Sequence, residues 1–381
     1  MNNFEQEAAG IKSHYDHLLI TSIILLTGAG LVTLYSASYS FSELLYAGRK
    51  WHLVSRQIVL AAAGFVFLVF ISRLKTETLH KLIKPAVIIA IVLCLLTFVP
   101  GIGVTRNGAS RWIRIASWTF QPSEFVKLVL PLYLAHFFDK KKDKLDSFRE
   151  GILPPTLVTV LFFSLIYFQN NFSTALFLAI NALVIFFLAG IKMRYFISAT
   201  VILLPVSFLL VLTKEHRLRR LISFLWPEWE PLGAGYQVRS SIITIASGGF
   251  WGKGIGQGVR KTRSVPEVQS DFIFSSYAEE AGFIGIILFL MLFAVFAWRG
   301  YKTALKSDTT FKRLLTFGLI NTIVSQVLVN ISVVSGAIPA TGIPLPFFSA
   351  GGSSLAATLA ACGFVLNVSK NNISHLQGGT Q

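Results

Sequence analysis

The sequence predicts an all-α polytopic membrane protein of about ten transmembrane helices, with one large extracytoplasmic loop between the seventh and eighth. Three observations carry that reading. Of its 381 residues, 53% are hydrophobic and only 14% charged, against about 25% charged in ordinary soluble domains. The mean hydropathy is +0.64. Apolar runs near the roughly 20-residue length that crosses a bilayer recur along the chain. These features exclude a soluble fold. The net charge of +16 would suggest nucleic acid in a soluble protein. Here much of it reads as topology, because Lys and Arg gather in cytoplasmic loops, and no nucleic-acid partner is expected. Cys94 and Cys362 both lie inside apolar runs, which argues against a disulfide framework or a zinc site.

The predicted spans are 17–36, 56–71, 85–99, 122–138, 152–168, 172–190, 195–212, 274–298, 311–334 and 347–368. The first follows a segment carrying Glu5 and Glu7 and shows no small-residue cleavage pattern, so it reads as a retained span. With a cytoplasmic N-terminus, the inner loops hold Arg73, Lys75, Lys81 and Lys84, then Lys140 to Lys142, Lys144 and Arg149, then Lys192 and Arg194, then Arg299, Lys302, Lys306, Lys312 and Arg313. The outer connections at 169–171 and 335–346 hold neither Lys nor Arg. An even span count returns the C-terminus to the cytoplasm. No internal repeat is evident, which weighs against a transporter built from repeated halves. The expected organisation is a cytoplasmic tail over 1–16, one membrane domain over 17–368 with its large outer loop at about 213–273, and a cytoplasmic tail over 369–381.

Two outer loops break the positive-inside pattern. One carries Arg106, Arg111 and Arg114. The other carries Lys214, Arg217, Arg219, Arg220, Arg239, Lys253, Arg260, Lys261 and Arg263. A loop of roughly 60 residues translocates despite its charge, but the charge needs a reason. Anionic lipid headgroups are one. An electropositive site for a phosphate-bearing substrate is the other, and an excess on two separate loops favours it.

Asp271 stands where the large loop meets the eighth span. It reads either as a helix N-cap or as a carboxylate tuned to act as a general base. Glu279, eight residues on, falls near the same helix face and is a candidate support for Asp271. Glu280 falls nearly opposite, where it would pair with another helix. Glu124 and Lys127, three apart in the fourth span, are neighbours on one face. In lipid they are either a structural ion pair or the lining of a headgroup cavity. The glycines at 248, 249, 252, 254, 256 and 258 match neither a Walker A loop nor a dinucleotide fingerprint. They read as a flexible connection, or as backbone that approaches phosphate closely. The segment before them, 235–250, reads as an amphipathic interfacial helix. Pro339, Pro344 and Pro346 keep 336–354 from being a regular helix, and irregular backbone at this depth must be buried in protein or line a cavity. Asn321, Gln326 and Asn330 read as helix–helix glue.

Five pieces, NGASRWI, FQPSEFVK, the GAGYQ to SGGFWGKGIGQG run, VPEVQSDFIF to AEEAGFIG, and TGIPLPFFSAGGSS, resemble the SEDS family (shape, elongation, division and sporulation), which includes FtsW, RodA and SpoVE. Tyr236–Gln237 and Gly256–Gln257 look closer to the FtsW branch. The resemblance implies a peptidoglycan glycosyltransferase that polymerises lipid II, an undecaprenyl-diphosphate-linked sugar, at the outer face of the cytoplasmic membrane. It implies Asp271 as the catalytic base. Arg111, Arg114, Arg217, Arg220 and Lys253 are then candidates to stabilise the leaving diphosphate, alone or with a divalent metal (Mg or Mn). Glu124, Lys127 and Glu279 would line the cavity. The implied partner is a class B penicillin-binding protein, a transpeptidase, with other divisome membrane proteins around it. The chain departs from the family pattern at Val265, Gln269, Ser270, Asn170, Asn171, Ser173 and Ala350. The rival readings are a lipid II flippase, an elongation-type role and a non-catalytic scaffold.

Overall fold

A computed structural model describes residues 15–45, 51–106, 108–116, 118–226, 234–258 and 269–378. Helices α1 (His17–Leu45), α2 (His52–Ser72) and α3 (Thr76–Leu96) lead to three short strands, β1 (Gly103–Arg106), β2 (Ala109–Ile115) and β3 (Trp118–Phe120). Then follow α4 (Pro122–Lys140), α5 (Leu153–Phe168), α6 (Phe172–Leu188) and α7 (Met193–Leu212). Two shorter helices, α8 (Glu215–Leu225) and α9 (Ala234–Ser247), precede α10 (Ile273–Leu305), α11 (Thr310–Val334) and α12 (Gly352–Gly378).

Among the described residues, eight helices are long and apolar enough to cross a membrane: α1, α2, α3, α5, α7, α10, α11 and α12. The other two predicted spans are also helical. The apolar α6 is shorter, and α4 carries the buried Glu124 and Lys127. The chain is a multi-pass membrane protein. Its enclosed centre is α4, α11 and α12, with α2 packed along α12, α4 and α10 along α11, and α1 along α10. No residue of α7 is buried in protein, as expected of a helix apolar all round that meets lipid on most sides. Helix ends are closed by side chains. Asn367 Nδ2 donates to the carbonyls of Ile71, Ser72 and Leu74 beyond α2, and Asp139 Oδ1 accepts from Phe311 N at the start of α11.

The structure corrects the sequence reading in three places. First, the loop over 103–120 is a three-stranded antiparallel sheet in the order β1-β2-β3. Its signal was the Asn-Gly pair at 107–108, a hairpin turn flanked by strand formers, with Gly108 at φ +72°. Second, the last helix starts at Gly352, five residues later than the span expected from 347, and within the 336–354 segment read as irregular. Third, the segment between α7 and α10 carries two helices, α8 and α9, where one was expected over 235–250. Arg260, Lys261, Arg263 and residues 265–267 lie outside the described residues, as do most of the N-terminal tail and the side chains of Arg106 and the C-terminal tail.

The glycine run is a docking element. Helix α10 is broken at Gly282 (φ +65°, ψ −165°), which leaves backbone groups without helical partners. The run supplies them. Lys253 N donates to Glu279 O and Gly254 N to Glu280 O, while Phe283 N donates to Gly249 O and Ile284 N to Phe250 O. This pairing brings backbone against backbone. A Cβ on Gly252 would stand 2.2 Å from Glu280 O, one on Gly282 2.2 Å from Gly252 N, and one on Gly248 2.3 Å from Ala278 O. Gly248 and Gly252 of the run, with Gly282, are thus spent on contact with the chain's own backbone. Gly252→Ala forces a clash at a positive φ and should cost about 2 kcal/mol or more. Gly256→Ala, also at positive φ but with no neighbour within 4 Å, should lose clearly less. Thermal unfolding of the two variants in detergent tests this; equal midpoints would show that the docking carries no stability.

Candidate active site

The site forms where the segment 336–351 meets the start of α10. Two side chains one turn apart on α11 hold it. Asn330 Nδ2 donates to Asp271 O at 2.8 Å and to Ile343 O at 2.9 Å. Gln326 Nε2 donates to Pro344 O at 2.8 Å, and its Oε1 accepts from Lys127 Nζ at 3.0 Å. Ser349 Oγ donates to Ser270 O and accepts from Leu345 N, while Ala350 N donates to Gln269 O. Phe347 (φ +67°) packs against Phe293 and Phe296, and Phe348 against Tyr277 and Phe289. A bulky residue at positive φ is strained, and these ring contacts hold it there. Of the three polar residues read as glue, Asn321 donates to Asn181 of α6 at 2.7 Å and Gln326 joins Lys127 of α4. Gln326 and Asn330 also tie the irregular backbone around Asp271.

Asp271 is half-buried, two residues before α10. The cap position of that helix is Phe272, with no side-chain cap bond, so the N-cap reading does not describe Asp271. Its Oδ2 faces Gly342, 3.3 Å from where a Cβ there would stand. Arg220 of α8 donates to Ala340 O in the same segment at 3.3 Å. Burial lowers the pKa of both Arg111 and Arg220, Arg111 to about 10, and the Asp271 carboxylate pulls each back up. Arg220 and Arg217 add their repulsion at Arg111. Three arginines and Asp271 therefore share one electrostatic field, although they lie on β2, α8 and the approach to α10.

Local structure explains how each arginine arrives. The register pairs Thr105 with Ser110 and Val104 with Trp112, which leaves Arg111 as the extra residue of a bulge. Bulges re-aim side chains, and Arg111 donates to Asn170 O at the α5–α6 turn. Arg114, further along β2, is exposed. On the amphipathic α8, Arg217 is buried and Arg219 exposed; Arg219 pairs with Glu215. The guanidinium of Arg217 lies 4.6 Å from the Tyr167 ring centre and 5.0 Å from that of Phe172.

Glu124 and Lys127 pair at 2.8 Å with almost no exposure. Lys127 also reaches Gln326, so this pair buttresses the 336–351 segment from below. Glu279, fully buried, takes Lys253 Nζ at 3.1 Å and Ser247 Oγ at 3.3 Å. It lies on the order of 12 Å along the helix from Asp271 and closes the glycine-run docking. Glu280 accepts from Ser36 of α1 at 2.5 Å, the cross-helix pairing its face predicts. Helix α9 lies against α10 and α11, with Ser241 donating to Val334 O, and shows Ile242 and Ile243 on its exposed side. Among the described residues, no three His, Cys, Asp or Glu side chains gather to hold a metal.

Asn330→Leu would leave the carbonyls of Asp271 and Ile343 without their donor. At about 1–3 kcal/mol for each buried unsatisfied group, it should destabilise more than Asn321→Leu, which breaks one side-chain pair between helices. Thermal midpoints of the two variants in detergent check the order, and the reverse ranking would remove Asn330 from its place as the clamp.

Comparison with known proteins gives one answer. Residues 16–374 match the FtsW/RodA/SpoVE family model, described as cell cycle protein. The probable peptidoglycan glycosyltransferase FtsW of Geobacter sp. (strain M18) is 37% identical over 359 residues, 93% of this chain and 96% of that protein. Stage V sporulation protein E of Bacillus subtilis (strain 168) is also 37% identical, over 94% and 98% of the two chains. A solved chain from a study of how a peptidoglycan synthase complex coordinates polymerization and crosslinking superposes with a TM-score of 0.78 at 29% identity, covering 94% of this chain and 98% of that one. On this evidence of sequence and fold together, the chain belongs to the FtsW/RodA/SpoVE family of cell cycle proteins.

Proposed function

We propose that the protein is a peptidoglycan glycosyltransferase that polymerises lipid II at the outer face of the cytoplasmic membrane during septal wall synthesis, with Asp271 as general base. One observation carries the reading: the carboxylate stands at the start of a membrane helix, within the field of Arg111 and Arg220, on backbone clamped by Asn330. The FtsW name of the curated relative supports the septal role. The lysine-rich turns lie at the end of α11 away from Asn330, which supports a cytoplasmic face there and cytoplasmic termini.

The reaction follows from the groups present. A sugar hydroxyl of one lipid-linked unit attacks the anomeric carbon of another. Asp271 takes the hydroxyl proton as the new glycosidic bond forms. The bond to the diphosphate breaks, and its electrons leave with undecaprenyl diphosphate. The gathered arginines stabilise the negative charge that develops there. Arg111, Arg217 and Arg220 are placed for this. Arg114 is exposed on the sheet and Lys253 is engaged by Glu279, so both stand behind the other three. Glu124 and Lys127 act by holding the segment that faces Asp271. A class B penicillin-binding protein, docked through membrane helices, is the proposed partner. The neighbour from a synthase complex that joins polymerization to crosslinking supports it.

Asp271→Asn keeps the shape and removes the base. Because general-base catalysis contributes about 10²–10⁴-fold, glycan polymer from purified lipid II, with the transpeptidase partner present, should fall by about 100-fold or more with the thermal midpoint little changed. Wild-type polymerisation by this variant would overturn the mechanism. A wild-type protein that moves lipid II across a bilayer yet makes no polymer would establish the flippase reading instead.

A further inference from the structure

Helix α2 buries one face in protein. Val54, Gln57, Ala61, Gly64, Leu68 and Ile71 lie on that face and recur at helical spacing. Gln57 is the polar one among them. It is 5% exposed, and an amide in an apolar stripe is costly unless it is bonded. Its Nε2 donates to Ser349 O at 3.2 Å. Ser349 Oγ in turn donates to Ser270 O at 2.5 Å, and Ser270 directly precedes Asp271. One turn on, a Cβ on Gly352 would stand 2.4 Å from Leu60 Cδ1, so α12 begins hard against α2. Arg56 precedes Gln57 and leaves the helix about 100° away around its axis. Its guanidinium lies 4.5 Å from the Trp118 ring centre on β3. From β3 the chain enters α4 through Gln121, whose N donates to Ser353 Oγ at 3.1 Å.

We propose that Arg56 and Gln57 are positioning residues for Asp271: Gln57 fixes the Ser349 peptide that holds the backbone before the carboxylate, and Arg56 fixes the outer sheet to the same helix. The assignment rests on the glycosyltransferase reading above. Both residues act through the groups they hold. Two hydrogen bonds in series carry the position of α2 to the Ser270 peptide, while Asn330 of α11 holds the Asp271 peptide itself. The base is thus gripped from two helices that lie far apart in the sequence. A general base works only within hydrogen-bond reach of the proton it takes, and small misplacements of reacting groups cost rate steeply. A glutamine that merely glued α2 to its neighbours would affect stability and leave turnover alone. One that positions the base affects turnover in the folded protein.

The test measures lipid II polymerisation by the full chain with the transpeptidase partner. Gln57→Met keeps the volume and removes the donor. Its kcat should fall about tenfold with KM little changed. Backbone exchange at Leu345 and Ala350, whose amides bond Ser349 Oγ and Gln269 O, should quicken. Gln57→Glu keeps the shape but donates to Ser349 O only when protonated. Its activity relative to wild type should therefore rise as pH falls through the carboxyl's titration, while the same ratio for Gln57→Met stays flat. Arg56→Leu should lower kcat by about two- to fivefold. Ser55→Ala, exposed on the same turn with its hydroxyl on His52 O of its own helix, should change nothing. If Gln57→Met does not fold, the pH dependence of Gln57→Glu decides. Wild-type kcat in folded Gln57→Met overturns the proposal, as does a Gln57→Glu ratio that is flat with pH. Asp271→Asn in the same assay separates the two readings. Wild-type polymerisation by that variant removes the base and the positioning pair with it. Its loss, alongside unaltered Gln57→Met, removes the pair alone.

Discussion

A backbone carbonyl or amide without a partner inside an apolar bundle costs several kcal/mol, and this chain breaks its helical backbone at two places near the site. At Gly282 the ladder of α10 is interrupted. At 336–351 the chain runs irregularly between α11 and α12. Each break is repaired from elsewhere in the sequence. The glycine run closes the first with four backbone bonds. Asn330, Gln326 and Ser349 close much of the second with side chains. The second repair also reaches the segment that carries Asp271, through Asn330 to Asp271 O and Ser349 to Ser270 O, so its position follows from the requirement that buried polar groups be satisfied.

The same requirement sorts the charges. Glu124 and Lys127 neutralise each other, and Glu279 takes Lys253. Such pairs are poor sources of net stability, because desolvation consumes the attraction. Their value here is positional, since each anchors a piece of irregular backbone. Arg111, Arg217 and Arg220 differ. They gather against mutual repulsion, and burial with that repulsion holds Arg111 below its ordinary pKa. Among the described residues, the Asp271 carboxylate acts on Arg111 and Arg220 against that burial and repulsion.

The spans were legible because lipid admits only helices and closed barrels, and apolar runs of about 20 residues fit the helix. Glu124 with Lys127 was legible from spacing alone, and Glu280 from its helix face. What was not legible depended on contacts distant in sequence. The glycine run reads alike whether glycine serves a phosphate, a flexible link or a neighbouring backbone, and only the break at Gly282 decides among them. Asn330 and Gln326 look like any polar pair in a membrane helix until the 336–351 segment is seen beside them. The sheet was the one local feature overlooked, although its Asn-Gly turn is written in the sequence. Asp271 itself needed the family resemblance, because an aspartate near a helix start is most simply a cap.

The arrangement also constrains how the site accepts an amphiphilic substrate. The gathered arginines sit on short elements, Arg111 on β2 and Arg217 and Arg220 on α8. Asp271 sits at the start of α10, its carbonyl held by Asn330 of α11. On the proposed reading, a substrate that spans the two is held by its charge on one side and reacts on the other. Each arginine donates to a backbone carbonyl of another element: Arg111 to Asn170 at the α5–α6 turn, Arg217 to Leu210 of α7 and Arg220 to Ala340 of the 336–351 segment. Arg220 thus ties the charged side to the segment that faces Asp271. On the proposed reading, a diphosphate drawn to these arginines is held beside the segment that faces Asp271.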